Sequence, residues 1–295
     1  MREATRPTVS VVIPCFNQAH YLAEAIESVL AQTLAPAEVV VVDDGSEDNS
    51  YEVAARYEKV TRMRQQNRGV AAARNAGWQA TSAEFLAFLD ADDRLLPEAL
   101  ELGVDALVRR QQVAFASGFS RDVGDDGKPL KGQRQPFVTQ DHYQRLLEDC
   151  FIWSGSSIVY RRSALEAVGG FDEGLVAADD YDLYLRIARR SPIYCHEAVV
   201  TDYRRHGTNT TRDPGVVLRS QLEVLGRQRG SVGDARERKA RRRGIRKTRR
   251  EHGRALAERI AEDWRRRRRR QALRGLRTLL RRDPQGMSHL LEAHD

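Results

Sequence analysis

The feature that most constrains this chain is an apolar run, FLAFL at residues 85–89, that ends at three carboxylates, Asp90, Asp92 and Asp93. A short apolar run bounded by charge is typical of a strand buried on both faces of a parallel sheet. Open α/β sheets bind their ligands beyond the carboxyl ends of such strands. Asp90 and Asp92 can face one cation, and their hard oxygen atoms suit Mg²⁺ or Mn²⁺, with water and a diphosphate as further ligands. A solvated acidic turn is the alternative for an isolated pair of this kind.

Strand and helix patterns alternate through the first third of the chain. Apolar β-branched runs at residues 9–13 and 38–42, and a shorter one at 62–65, predict strands. Periodic or Ala-rich stretches between them predict crossover helices, at residues 21–32, 49–57 and 69–80. This alternation predicts an α/β fold with a mostly parallel, doubly wound sheet and flanking helices.

Polar and aromatic side chains follow two of these strands. Phe16 and Asn17 follow the first strand, and Asp43 and Asp44 follow the second. An ionised carboxylate is an acceptor only, so Asp44 is a reasonable partner for the donor groups of a nucleotide base or ribose. Asp, Gly and Ser are also common turn residues, and the two roles are compatible. No Gly-rich dinucleotide or P-loop motif is present, which argues against those two classes of nucleotide site.

Charge divides the chain into two parts. Residues 225–295 carry 24 Lys or Arg and 9 Asp or Glu, whereas the rest carries 25 and 33. The three cysteines are far apart and have no metal-ligand spacing, which favours a reducing cytoplasm. The first eight residues lack the apolar region of a signal peptide, and no apolar run approaches the ~18 residues needed to cross a membrane.

Five segments, in this order, resemble the inverting glycosyltransferases of family 2, which have the GT-A fold. They are VSVVIPCFNQAHYLAEAIESVLAQT, EVVVVDDGSEDNS, QNRGVAAARNAGWQA, EFLAFLDADDRLLP, and GGFDEGL followed by ADDYDLYLRIA. The resemblance covers about residues 8–210. It implies a GT-A domain over residues 1–212, with a nucleotide-binding half at about 8–112 and an acceptor half at about 113–212. It also implies transfer of a sugar from a nucleotide-diphosphate sugar, most often a UDP-sugar, to an acceptor hydroxyl.

The resemblance also assigns roles to individual residues. Asp180 is expected to be the general base, although Asp179 stands where the family has Glu, so which of the two acids faces the acceptor stays open. Asp92, Asp90 and His206 are expected to bind Mn²⁺ or Mg²⁺. The expected donor-binding residues are Pro14, Phe16, Asn17, Asp44, Arg74 and Asp90. Asp179 and Trp153 are the candidates for acceptor binding, and Trp153 is equally suited to a core position.

The basic part of the chain, residues 213–295, lies outside the resemblance and predicts a helical extension. Leu256, Ile260 and Trp264 recur every four residues, and a run of six arginines, 265–270, follows. Packing on the acidic body, attachment to an anionic membrane surface, and nucleic-acid binding are the three alternatives. Nucleic acid is the weakest of these, because no recognition motif accompanies the charge.

The predicted function is therefore glycosyl transfer in the cytoplasm or on the inner face of the membrane. Its acceptor would be a carbohydrate or a lipid-linked compound, in surface polysaccharide or glycoconjugate synthesis. The alternative is a non-catalytic, transferase-like binding protein.

Overall fold

The structure is a computed structural model that describes residues 7–132, 135–207 and 209–286. The chain divides into two compact units. The first contains Met1–His142, Phe151–Gly174 and Leu183–His206, and the second contains Tyr143–Cys150, Leu175–Asp182 and Gly207–Asp295. Residues 1–6 of the first unit and residues 287–295 of the second lie outside the described residues. The last part of the predicted extension is among them.

One sheet organises the first unit. Its eight strands within the described residues lie in the order β3-β2-β1-β4-β7-β6-β8-β5. Strands β1, β2, β3 and β4 pair in parallel, whereas β7 runs antiparallel to both β4 and β6. The bounds are β1 (Val9–Cys15), β2 (Glu38–Asp43), β3 (Thr61–Arg64), β4 (Phe85–Phe88), β5 (Arg94–Leu95), β6 (Phe115–Val123), β7 (Ile158–Arg161) and β8 (Tyr194–Arg204).

Helices flank this sheet, as the alternating pattern predicts. They are α1 (Ala19–Leu30), α2 (Ser50–Ala54), α3 (Val70–Gln79), α4 (Ala99–Arg109) and α6 (Arg162–Val168). All seven residues of β1 are buried, because helices cover both faces of a parallel sheet. Helix α3 approaches the sheet so closely that a β-carbon at Gly77 would lie 2.2 Å from Val12 Cγ1. The predicted α/β fold with flanking helices is confirmed, and its sheet is mixed, since β7 is antiparallel to both of its neighbours.

The second unit is helical. It contains all or part of α5 (His142–Glu148), α7 (Asp179–Ala188), α8 (Pro214–Arg227), α9 (Ala235–Thr248), α10 (Arg254–Arg265) and α11 (Arg269–Arg282). A π-helical turn, Arg249–Gly253, joins α9 to α10. Asp213 caps the start of α8, and its carboxylate accepts hydrogen bonds from the Gly215 and Val216 N–H groups.

A small apolar core joins three helices of the second unit. Leu218 of α8 packs with residues of α10 and α11, and the members of this core are Leu218, Leu256, Ala257, Ile260, Ala272 and Leu279. The helical extension that the sequence predicts is therefore present through residue 286. No helix in the described part of the chain is long and apolar enough to span a bilayer.

Candidate active site

The carboxyl ends of β1 and β2 bring two of the predicted donor-binding loops together. Cys15 of β1 lies beside Asp43 of β2 in the parallel ladder, so the residues that follow them are neighbours. Asn17 has a left-handed backbone, φ 54°, and its side-chain oxygen accepts a hydrogen bond from the Glu47 N–H at 2.8 Å. Phe16 remains 45% exposed, which leaves its ring available for stacking. Pro14 is buried inside β1.

Asp44 is almost completely buried and fixes the chain between β3 and α3. Its Oδ1 accepts hydrogen bonds from Gln65 Nε2 at 2.7 Å and from the Arg68 N–H at 2.9 Å, and its Oδ2 accepts from the Gly69 N–H at 2.8 Å. A carboxylate can accept about four hydrogen bonds, so these partners do not exhaust its capacity. Gly69 has φ 92°, a backbone conformation that glycine adopts at low cost, and α3 begins immediately after it.

Asp90 is paired with Arg74 beyond the end of β4. An Arg74 terminal nitrogen lies 2.6 Å from Asp90 Oδ1, and the Arg74 side chain is buried while that of Asp90 is 32% exposed. The guanidinium also lies 5.3 Å from the centre of the Phe171 ring. The Asp90 N–H donates to Ser156 Oγ at 3.1 Å. Two residues predicted from separate motifs, Arg74 and Asp90, thus meet at one point.

Asp92 meets His206, although 113 residues separate them in the chain. His206 Nε2 lies 2.7 Å from Asp92 Oδ2, and both side chains are largely buried. Burial raises the pKa of Asp92, and the negative charge of Asp90 raises it further. The histidine ring also lies 5.1 Å from the ring of Tyr21. Of the three predicted metal ligands, the structure pairs Asp92 with His206 and ties Asp90 to an arginine.

The donor set fits a divalent cation that keeps most of its shell for other ligands. Among the described residues, no three His, Cys, Asp or Glu side chains converge to hold a metal by themselves. Mg²⁺ and related hard cations usually take one or two carboxylates and complete their shell with water and substrate phosphates. A carboxylate and an imidazole at 2.7 Å, in a region where negative charge already accumulates, fit that mode of binding.

Sequence reasoning missed a group of residues that holds this region together. Asp93 is fully buried, and its Oδ1 accepts from the Arg204 N–H at 3.0 Å while its Oδ2 accepts from Ser156 Oγ at 2.8 Å. Burial raises the pKa of Asp93 well above its usual range, and the charges of Asp92 and Asp90 add to the shift. The same arginine donates from Nε to the Asp92 carbonyl oxygen at 2.9 Å and lies over the Tyr21 ring.

The position of Asp93 after Asp92 was the available signal for this group, but nothing in the sequence pairs residue 93 with residues 156 and 204. Asp93 links the acidic turn, the short turn Gly155–Ser157 and the end of β8. His206 follows β8 by two residues, so this link also sets where the histidine lies. Trp153, a predicted acceptor contact, lies half-buried in the loop before the same short turn.

The predicted base lies in the second unit, at the start of α7. Asp179 is buried, whereas Asp180 is partly exposed and its Oδ1 accepts from the Tyr181 N–H at 2.7 Å. Tyr181 is buried and donates its hydroxyl to the Leu146 carbonyl oxygen at 2.5 Å. Aspartates are common in a first helical turn, so the position suits both residues as part of the helix start. Of the two acids, Asp180 is the more accessible.

A mixed sheet with flanking helices, and an Asp-x-Asp turn beyond the carboxyl end of its strand β4, is the arrangement expected of a GT-A glycosyltransferase fold. The sequence model of glycosyl transferase family 2 matches residues 10–169, which is more than half of the chain. The chain therefore belongs to glycosyl transferase family 2.

Curated relatives agree with this family. An uncharacterized glycosyltransferase of Nostoc is 34% identical over 212 residues, covering 68% of this chain and 66% of the relative. One of Rickettsia typhi is 30% identical over 216 residues, covering 70% and 66%. The chondroitin synthase of Escherichia coli is 28% identical, and the match covers 70% of this chain but 30% of the synthase. The chain thus spans slightly less than two thirds of the first two relatives and under a third of the synthase.

Solved structures share the fold. S. aureus TarS residues 1–349 in complex with UDP-GlcNAc superposes with a TM-score of 0.65 at 18% identity, covering 81% of this chain and 71% of that one. The mannosyltransferase PcManGT of Pyrobaculum calidifontis, in complex with GDP-Man and Mn²⁺, gives a TM-score of 0.61 at 22% identity, covering 79% and 66%. These neighbours support the GT-A fold that the sequence predicts.

Proposed function

We propose that this glycosyltransferase moves a sugar from a nucleotide-diphosphate sugar, with a UDP-sugar as the first candidate, to an acceptor hydroxyl with inversion at the anomeric carbon. The observation that carries the proposal is the pair of contacts beyond β4, Arg74 with Asp90 and Asp92 with His206. In this proposal Arg74 supplies a fixed positive charge, and Asp92 with His206 supplies ligands for a divalent cation, at the sheet edge where open α/β folds bind nucleotides. The neighbours in complex with UDP-GlcNAc and GDP-Man support a donor of this class.

In this proposal, the first unit binds the donor. Phe16 offers an exposed ring for the base, and Asp44 offers its remaining acceptor capacity to the base or ribose, with Pro14 and Asn17 shaping the same loops. Asp92 and His206, with Asp90 beside them, would hold Mn²⁺ or Mg²⁺. A bound cation of this kind would offset the charge that grows on the leaving diphosphate. Arg74, held in place by Asp90, adds a fixed positive charge near that leaving group.

Asp180 would act as the general base. It takes the proton from the acceptor hydroxyl as that oxygen attacks the anomeric carbon, and the nucleoside diphosphate leaves from the opposite face. Such proton transfer contributes roughly 10²- to 10⁴-fold to the rate. A single displacement needs no protein nucleophile and inverts the configuration. Trp153 and Asp179 are the proposed acceptor contacts, and the acceptor itself would be a carbohydrate or a lipid-linked compound of surface polysaccharide or glycoconjugate synthesis.

The three free cysteines, two of them buried, support a cytoplasmic location.

The first experiment is a thermal-shift series of the full chain with UDP, GDP, dTDP and CMP, each with and without Mn²⁺. A ligand at 100 times its dissociation constant stabilises the folded state by about 2.7 kcal/mol, which raises the melting temperature of a chain this size by about 4 °C. We expect one nucleotide to give such a shift and to need Mn²⁺ for it.

Two variants make this series specific. Asp92→Ala is expected to abolish the Mn²⁺-dependent part of the shift, whereas Asp105→Ala is expected to keep it, because Asp105 is an exposed residue of α4 that pairs with Arg109. A shift that survives in Asp92→Ala would remove Asp92 from the metal site. No shift with any nucleotide would favour the non-catalytic alternative, in which the basic extension carries the function.

A further inference from the structure

Helix α11 and the turn before it carry positive charge without any acidic residue. Residues 265–282 contain ten arginines and no Asp or Glu. Among the described residues, none of the six arginines of α11 forms an ion pair, whereas Arg243 and Lys247 of α9 pair with Glu148 and Asp149. The positive charge of α9 is thus partly neutralised by ion pairs within the unit, whereas the arginines of α11 are exposed to solvent.

Apolar side chains are exposed on the same helix. Leu273 and Leu280 are seven residues apart, so they lie on one face of α11, and they are 49% and 48% exposed. Ala272 and Leu279, which lie about 100° around the helix from these leucines, belong to the core with α8 and α10. The two exposed leucines are therefore not part of the apolar core of the unit. Trp264, at the end of α10, is 53% exposed and immediately precedes the arginine run.

Arginines lie beside this apolar stripe, on the side away from the core residues Ala272 and Leu279. At 100° per residue, Arg270 and Arg277 lie within about 60° of Leu273, and Arg274 and Arg281 lie beyond them on the solvent side. A helix with an apolar stripe, a cationic face and low net hydrophobicity binds in the plane of a membrane interface, and tryptophan is common at that depth. Each Lys or Arg near an anionic leaflet adds to this binding.

We propose that α11, with Trp264, is a docking surface for a bilayer that contains anionic phospholipids. Leu273 and Leu280 would enter the boundary between headgroups and acyl chains, and the flanking arginines would contact lipid phosphates. Nucleic acid, the alternative anionic partner, would contact the same arginines but offers no apolar layer to the two leucines. The observations therefore favour the membrane surface, which would bring the protein to the lipid-linked acceptor that the proposed function allows.

The test is co-sedimentation of the full chain with vesicles of phosphatidylcholine, alone or with 30% phosphatidylglycerol. We expect binding to the anionic vesicles that weakens with salt, and little binding to the neutral ones. Leu273→Ser/Leu280→Ser is expected to weaken binding at least about tenfold, because two apolar side chains no longer leave water. Arg270→Gln/Arg274→Gln/Arg277→Gln is expected to weaken it about 100-fold.

The matched control is Arg236→Gln/Lys239→Gln/Arg242→Gln, which removes the same charge from exposed positions of α9 and is expected to change binding less than about threefold. Quenching of tryptophan fluorescence by brominated lipid should be present in the wild type and largely lost in Trp264→Phe. Absence of binding to anionic vesicles, or equal losses in the α9 and α11 charge variants, would overturn the proposal. So would duplex DNA or RNA displacing the vesicles at physiological salt. None of these measurements depends on sugar transfer, so they can fail while the proposed enzymatic function stands.

Discussion

Asp180 is the residue at which the proposed chemistry can be separated from binding. We expect Asp180→Asn to lower kcat by roughly 10²- to 10⁴-fold, because the amide cannot accept the acceptor's proton. The amide oxygen can still accept the hydrogen bond from the Tyr181 N–H, so the local fold should persist. Donor binding, measured by calorimetry with Mn²⁺, is expected to stay within about threefold of the wild type. The measurement is the release of nucleotide in single-turnover and steady-state assays.

The neighbouring acid provides the comparison for that variant. Asp179 is buried at the start of α7. Asp179→Asn is therefore expected to lower the melting temperature more than Asp180→Asn does, and to lower kcat less than Asp180→Asn does. If Asp179→Asn instead removes transfer while Asp180→Asn retains it, the base is Asp179. Sequence reasoning left this choice open because both acids occupy consecutive positions, and only their different burial separates them.

The folded state disfavours the charged form of Asp93, and this has a consequence for the pH dependence of stability. Burial raises its pKa above the unfolded value of about 3.9, so the folded state binds more protons than the unfolded state above that pH. The contribution of Asp93 to stability therefore falls as pH rises from about 4 toward neutrality. Asp93→Asn keeps an acceptor for the Arg204 N–H but does not titrate. We expect the melting temperature of Asp93→Asn, relative to the wild type, to rise with pH over this interval.

Melting curves between pH 4 and pH 7.5, in EDTA so that metal binding does not contribute, provide the check for Asp93. A difference between variant and wild type that is constant with pH, or that falls, would mean that Asp93 ionises as easily in the folded protein as in the unfolded chain. The residue shows what the sequence could predict at this scale. Its acidic neighbours were assigned from their spacing, but its partners Ser156 and Arg204 come from distant segments that no local pattern connects to it.

At the scale of elements, the close approach of α3 to β1 depends on Gly77. A β-carbon there would lie 2.2 Å from Val12 Cγ1 and 3.1 Å from Val42 Cγ2. We expect Gly77→Ala to destabilise the protein by about 1–3 kcal/mol, because the helix must move off the sheet to admit one methyl group. Chemical denaturation of the variant and the wild type measures the difference.

Gly226 is the control for that substitution, since it lies in α8 and a β-carbon there meets nothing within 4 Å. Gly226→Ala is expected to be neutral or to stabilise by up to about 1 kcal/mol through helix propensity. Equal effects of the two alanines would show that α3 is free to adjust. The packing of α3 also shows why its elements were predictable from sequence. The small residues of α3, the alternation of strand and helix patterns, and the buried β-branched strands all predict the same parallel part of the sheet with its covering helices.

Other elements were not predicted, and the reason is physical. The two-residue strand β5 pairs with β8, and such a short strand has no periodicity to detect. Helices α5 and α6 have seven residues each, fewer than a periodic pattern needs. Both contact distant segments, and in α6 the Arg162 Nε donates to the Ala83 carbonyl oxygen at 2.6 Å. Helix α5 is the clearest case. The Tyr143 hydroxyl donates to Gln228 Oε1 at 3.0 Å, and Glu148 pairs with Arg243 of α9 at 3.2 Å.

At the scale of the whole molecule, these contacts bear on the role of the basic extension. The second unit combines residues 207–295 with two short segments, Tyr143–Cys150 and Leu175–Asp182, that the resemblance assigns to the glycosyltransferase domain. Gly244 of α9 lies so close to α5 that a β-carbon would be 2.1 Å from the Leu147 carbonyl oxygen. The carbonyl oxygen of Leu146, one residue earlier, accepts a hydrogen bond from the hydroxyl of Tyr181, the residue after the proposed base. The extension thus supports the helix on which the segment carrying Asp180 rests.

Truncation after residue 212, the predicted domain boundary, tests this support. Removing residues 213–295 takes away the buried partner of Tyr143 and the cations that pair with Glu148 and Asp149. We expect a loss of about 3 kcal/mol or more and a fall in melting temperature of at least about 5 °C. The Mn²⁺-dependent nucleotide shift should persist, because Asp44, Asp90 and Asp92 belong to the first unit. Transfer should fall much further than donor binding, because α5, which accepts the hydrogen bond of Tyr181, loses the residues of the extension that hold it in place. The point variant Gly244→Ala should reproduce a smaller version of both effects in the full-length chain. A truncated protein that melts and transfers sugar like the full chain would instead show that residues 1–212 fold and act as an independent domain.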